Sequence, residues 1–104
     1  MVTCYHDSHG FARAEVRGHP AVSAYLEQDI QASPETCREV LHAIEEVESG
    51  KVNEWEGTGN AFTMSVRPDG VTIENVWDES MGVETLSISD FKTILNEWLK
   101  FVSA

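Results

Sequence analysis

Phe62-Thr63-Met64-Ser65-Val66-Arg67-Pro68-Asp69-Gly70-Val71-Thr72-Ile73-Glu74-Asn75 is the stretch that decides the fold. Phe62, Met64 and Val66 alternate with Thr63, Ser65 and Arg67; after the break, Val71, Ile73 and Asn75 alternate with Thr72, Glu74 and Val76. A period of two sends alternate side chains to opposite faces of a strand. Between the two runs, Pro68-Asp69-Gly70 supplies a proline that pre-sets φ and a glycine that tolerates positive values, which is the chemistry of a tight turn. The stretch therefore reads as an antiparallel hairpin with one apolar face, and that face needs a cover.

Working outward, further strands are expected around Val52 to Glu56 and around Thr85 to Ile88, with Gly57-Thr58-Gly59 as a bend, giving a meander of four antiparallel strands. At the N-terminus, Val2 to His6 and Phe11 to Arg17 form a second strand pair about the polar turn Asp7-Ser8-His9-Gly10. Three segments carry helical spacing. Val22, Tyr25, Leu26 and Ile30 recur behind Pro20. Cys37, Val40, Leu41, Ile44 and Val47 follow Ser33 as N-cap and Pro34, with Gly50 as the stop. Phe91, Ile94, Leu95, Trp98 and Val102 follow Ser89 as N-cap. The expected class is α+β: an antiparallel meander, an N-terminal strand pair and three helices mainly on one face, in one domain over residues 1–104.

The chain has 18 acids against 7 Lys and Arg, a formal net charge of -11. Such a field repels phosphate, so direct nucleic-acid binding and association with an anionic membrane are both disfavoured and a basic partner is favoured. No apolar run is long enough to span a bilayer and no signal peptide opens the chain. Cys4 and Cys37 then read as free thiols of a cytoplasmic protein. The acids fall in two regions. Nine lie between Glu27 and Glu56 against Arg38 and Lys51 alone, and six lie between Pro68 and Phe91 with no cation.

Catalytic patterns are lacking, and neither a catalytic residue nor a cofactor is assigned. Cys4, His6, His9 and His19 offer metal-ligand types at a spacing unlike the paired ligands of structural zinc sites, so no metal ligand is assigned either. Cys37 and His42, five residues apart, fall on different faces of one helix. Gly57-Thr58-Gly59 lacks the Lys-Ser/Thr ending of a phosphate loop. The acids are expected on exposed faces and turns, where none is tuned for proton transfer.

Trp55-Glu56-Gly57-Thr58-Gly59-Asn60-Ala61-Phe62, then Val71-Thr72-Ile73-Glu74-Asn75, then Leu86-Ser87-Ile88-Ser89-Asp90-Phe91 through Trp98-Leu99-Lys100-Phe101, resembles the small immunity proteins of bacterial contact-dependent growth inhibition systems. Those families share a G-N-x-F strand, a D-G-V-x-I-E-N hairpin return and a closing S-x-x-D-F-x-x-x-L-x-x-W-x-x-F helix. The likeness covers the second half closely and the first half in order of elements. It implies a non-enzymatic cytoplasmic protein. Such a protein, a monomer until it forms a heterodimer, neutralises the C-terminal nuclease domain, commonly tRNA-cleaving, of a cognate effector. An acidic surface would occupy the basic groove of that toxin.

Two patches compete for that role. One is the loop with Asp78, Glu79 and Glu84, with Trp77 and Met81 as apolar anchors and Glu54, Trp55 and Glu56 alongside. The other is the helical stripe Glu35, Glu39, His42 and Glu46. An alternative role is that of an acidic housekeeping adaptor or regulator of a basic RNA-processing or ribosomal protein.

Overall fold

Alternation and capping translate directly into elements in the computed structural model, which describes residues 1–104. In chain order these are strand β1 (Val2–His6), strand β2 (Ala12–Val16), helix α1 (Pro20–Tyr25) running on into a π-helical turn (Leu26–Ile30), and helix α2 (Pro34–Glu48). Strands β3 (Trp55–Thr58), β4 (Phe62–Arg67) and β5 (Gly70–Asn75) follow, then a 3₁₀ turn (Glu79–Met81), strand β6 (Val83–Leu86) and helix α3 (Ile88–Ser103). The class is α+β. One two-stranded sheet pairs β1 with β2, and a four-stranded antiparallel sheet has the order β3-β4-β5-β6. The Cα radius of gyration is 13.0 Å.

The hairpin closes at Arg67↔Gly70, leaving Pro68 and Asp69 as its two-residue turn. Its register sets Met64 opposite Ile73 and Val66 opposite Val71. These side chains, with Phe62 and Leu86, are buried beneath Phe91, Ile94, Leu95 and Trp98 of α3 and Val22 and Leu26 at the start of the helical layer. No polar or charged residue is fully buried. The other face of the sheet is hydrophilic. Register aligns Glu56, Ser65, Thr72 and Thr85 in one row and Thr58, Thr63, Glu74 and Val83 in the next.

Three boundaries differ from the sequence expectation. β3 begins at Trp55 and includes Gly57 and Thr58, because the chain stays tied to the end of α2: the Lys51 and Val52 amides both donate to the Glu46 carbonyl (3.0 and 3.4 Å). Gly57-Thr58 is thus strand, and the bend is Gly59-Asn60-Ala61. β6 spans Val83–Leu86 rather than reaching Ile88, and the cap of α3 is Ser87 instead of Ser89. Ser87 Oγ accepts from the Asp90 amide at 3.0 Å, the usual reach of an N-cap, whereas Ser89 already lies in the first turn.

Helix α2 follows the expected chemistry, with Ser33 Oγ accepting from the Thr36 amide and Gly50 at φ 80° behind its end. Between the π-helical turn and α2, Gln31 takes φ 59°, an uncommon conformation for a residue with a side chain. Its carbonyl accepts from Trp98 Nε1 at 2.9 Å, so α3 pins that junction.

Candidate functional site

Helix α2 and edge strand β3 run past one another and leave a cleft of about 230 Å³ between them. Its floor is aromatic: Tyr25 from the end of α1 and Trp55 from the start of β3. The Tyr25 ring is buried, edge-on to Phe62 (centroids 6.2 Å, 89°), and its phenol is driven far above its ordinary pKa by burial and by the neighbouring Asp29 and Cys37. Its hydroxyl has no hydrogen-bond partner in the protein. Trp55 lies along the strand over Gly57, where a Cβ would run into the indole ring and force it to move.

Polar side chains enter from two sides, Thr36 and Glu39 from α2 and Asp29 from the π-helical turn, while Thr58 borders the cleft with its hydroxyl turned to Thr63 on the other face of the sheet. Asp29 accepts from the Ala61 amide through Oδ1 (2.9 Å) and from the Phe62 amide through Oδ2 (3.0 Å). Burial raises its pKa, while backbone hydrogen bonds from Ala61, Phe62 and Asn60 pull the other way. Gly59 presses on this carboxylate, which fills the space a Cβ would need. Glu39 is exposed and forms no salt bridge.

The sequence-derived candidates separate under this geometry. Glu39 and Trp55, read as members of rival patches, share the cleft. His42 and Glu46 form an i,i+4 ion pair on the same helix (2.7 Å), and Glu35 stands exposed one turn before Glu39. Glu54 pairs with Arg67 at 3.1 Å, and Glu56 projects from the hydrophilic face of β3.

The loop patch divides. Asp78 caps the 3₁₀ turn by accepting from the Ser80 amide (3.0 Å), Glu79 is exposed, and Met81 is half-buried against the core. Trp77 is 80% exposed, with its indole Nε1 donating to the Asn60 carbonyl at 3.0 Å. Glu84 is no loop acid. It belongs to β6, opposite Ile73 on the helix-bearing face, and its carboxylate accepts from the Ala21 amide (2.8 Å) and the Val22 amide (3.0 Å) at the start of α1. His19 Nδ1 lies 3.8 Å from the same group.

Thus the expectation that all acids sit on exposed faces fails for Glu27, which accepts from the Ala14 amide at 2.8 Å, and for Asp29 and Glu84, which brace backbone amides across 32 residues or more. The signal for Asp29 was available, since it follows Tyr25 by four residues and shares its helical face. For Glu84 no local pattern pointed inward.

Cys4 and His6 lie on the inner side of β1, where the His6 ring meets Phe101 at 4.7 Å; His9 is in the turn and His19 precedes α1. No three His, Cys, Asp or Glu side chains are grouped to hold a metal ion. Cys37 is buried, its Sγ donates to the Leu95 carbonyl, and its pKa is pushed up to about 11 by burial. No helix is long and apolar enough to cross a membrane.

Comparison with known proteins returns one match. No curated protein and no solved structure resembles the chain closely enough to show kinship. The model of an uncharacterised protein family, UPF0231, matches residues 4–89, which takes in the end of β1, all of β2 to β6, α1, α2 and the whole cleft. The chain is a member of the UPF0231 family.

Proposed function

We propose that this protein is a non-catalytic binding domain for a basic protein, in the form suggested by its resemblance to the immunity proteins. In that form it binds and neutralises the cognate nuclease domain, a tRNA-cleaving one in the simplest case, of a contact-dependent growth inhibition effector in the cytoplasm. The observation carrying this reading is the convergence of Glu39 and Trp55 on one cleft, with Glu35 exposed one turn before Glu39 on the same helix. A surface of that composition complements a basic groove. Charge steers the encounter and the aromatic supplies a desolvated anchor. Of the two patches this favours the helical one, because Glu84 and Asp78 already bond to backbone amides.

The test is to mix the purified protein with the C-terminal domain encoded immediately upstream of its gene and to measure affinity against salt. Inhibition of nuclease activity is expected, with binding weakened by rising salt and slowed roughly tenfold or more in association by combined Glu35→Lys and Glu39→Lys. Asp78→Lys with Glu79→Lys should change it less. Absence of a complex at low salt would end the immunity reading. The adaptor reading keeps the same surface and differs in its genetic setting: no effector gene would precede this one, and the partner would be a basic protein of RNA processing or the ribosome.

A further inference from the structure

The geometry points to the cleft between α2 and β3 as a binding pocket for a single guanidinium group. Size is the first constraint. At about 230 Å³ it falls below the roughly 300–1,000 Å³ typical of pockets for drug-sized ligands, so it suits the end of one side chain or a very small molecule.

Chemistry is the second constraint. Two carboxylates enter from different elements: Glu39 is exposed and unpaired, and Asp29, whose oxygens each accept one backbone amide, keeps a further lone pair on each, which disfavours phosphates and favours a cation. The third observation is independent of charge: the Tyr25 side chain is only 5% exposed, lines the cleft, and leaves its hydroxyl without a protein partner. The hydroxyl is not sealed from solvent and, at the end of a buried and rigid ring that lines the cleft, offers a ligand's polar atom a fixed hydrogen-bond partner.

Trp55 selects among cations. A guanidinium is planar, stacks on an indole, presents several N–H donors in one fork and is more weakly hydrated than an ammonium. It can donate to Asp29, Glu39 and the Tyr25 oxygen while lying against the Trp55 ring. A lysine ammonium gains only part of this. Gly57 keeps Trp55 flat along the strand, and Gly59 keeps the rim of the cleft low beside Asp29. The guanidinium can belong to an arginine of a protein or to a free small molecule. The pocket does not depend on the toxin reading.

The experiment is an amide and indole NMR titration of the full-length protein. The probes are Nα-acetylarginine amide, its lysine and citrulline counterparts, and agmatine. Saturable shifts at the Gly57 and Gly59 amides and the Trp55 indole N–H are expected with the arginine compound, at roughly millimolar affinity for so few contacts. Binding should be several-fold weaker with the lysine compound and lost with neutral citrulline. Tyr25→Phe and Glu39→Gln, both mild enough to fold, should each weaken binding by about fivefold or more. Agmatine binding much tighter than the arginine compound identifies a free small molecule as the occupant; equal or weaker binding identifies a protein side chain. Shifts that fail to saturate, that spread equally along Glu45, Glu46 and the loop acids, or that persist unchanged in both variants overturn the pocket.

Discussion

Removing the Glu84 carboxylate should unseat helix α1. Both oxygens are engaged, Oε2 with the Ala21 amide at 2.8 Å and Oε1 with the Val22 amide at 3.0 Å, and those two residues are fully buried. Glu84→Ala leaves two buried donors unbonded. Two such orphans at about 1–3 kcal/mol each bound the loss at about 2–6, and because loss of an ordinary helix cap costs only about 1–2, the lower part of that range, about 2–4 kcal/mol, is expected. A domain of this size has a stability of roughly 5–15 kcal/mol, which makes this a large fraction.

Taken at about 4–8 °C per kcal/mol, the midpoint of thermal unfolding should fall by roughly 10–25 °C. Urea denaturation followed by circular dichroism measures the change directly, and the slope should stay constant if only the native state is weakened. Glu84→Gln retains one acceptor oxygen and should lose about half as much. Should Glu84→Ala lie within about 0.5 kcal/mol of the native protein, Glu84 is not a structural cap, and its assignment as a partner-binding acid regains force.

The other expectations concern separate parts of the molecule. Gly59→Ala must displace the Asp29 carboxylate from the Ala61 and Phe62 amides, costing about 1–3 kcal/mol in urea unfolding. Trp98→Phe keeps the ring in the core but orphans the Gln31 carbonyl, so a loss of about 1–3 kcal/mol should appear together with faster hydrogen exchange at the α1–α2 junction. Trp77→Ala, at a site exposed to solvent, should change stability by less than about 1 kcal/mol. Cys37 is held as the neutral thiol. Its pKa is raised in the fold to about 11 from an ordinary value of 9.0, so its contribution is complete below about pH 8 and disappears as pH rises through 11. Alkylation at pH 8 should accordingly mark Cys4, which is half-buried, well before Cys37, with mass spectrometry distinguishing the two.

The hairpin, the strand pair and all three helices were legible because each is encoded within a few residues: alternation in Phe62 to Asn75, Ser33 with Pro34, a glycine after the last turn. Boundaries slipped where a bond crosses that range. Val52 looks like strand, yet its amide is held by the Glu46 carbonyl, and Ser89 looks like a cap, yet Ser87 reaches the Asp90 amide first. The cleft was half legible. Glu39 and Trp55 stood out singly, as an acid on a stripe and an aromatic beside acids, but their meeting depends on how α2 crosses β3. Glu84 shows the limit most clearly. In a run of loop acids nothing local distinguishes it, because its partners lie 63 and 62 residues earlier in the chain.

The bend Gly59-Asn60-Ala61 is held on both flanks. Asn60 Nδ2 donates to the Gln28 carbonyl (3.0 Å) and the Ala61 amide to Asp29, while the Trp77 indole grips the Asn60 carbonyl and the Val76 amide the Ala61 carbonyl (2.8 Å). Three residues therefore join the cleft wall to the most exposed tryptophan. If an occupant that repositions Asp29 also moves this bend, a body docked on Trp77 must act back on the cleft. By linkage the two effects would be equal in free energy, each changing affinity on the other side by the same factor.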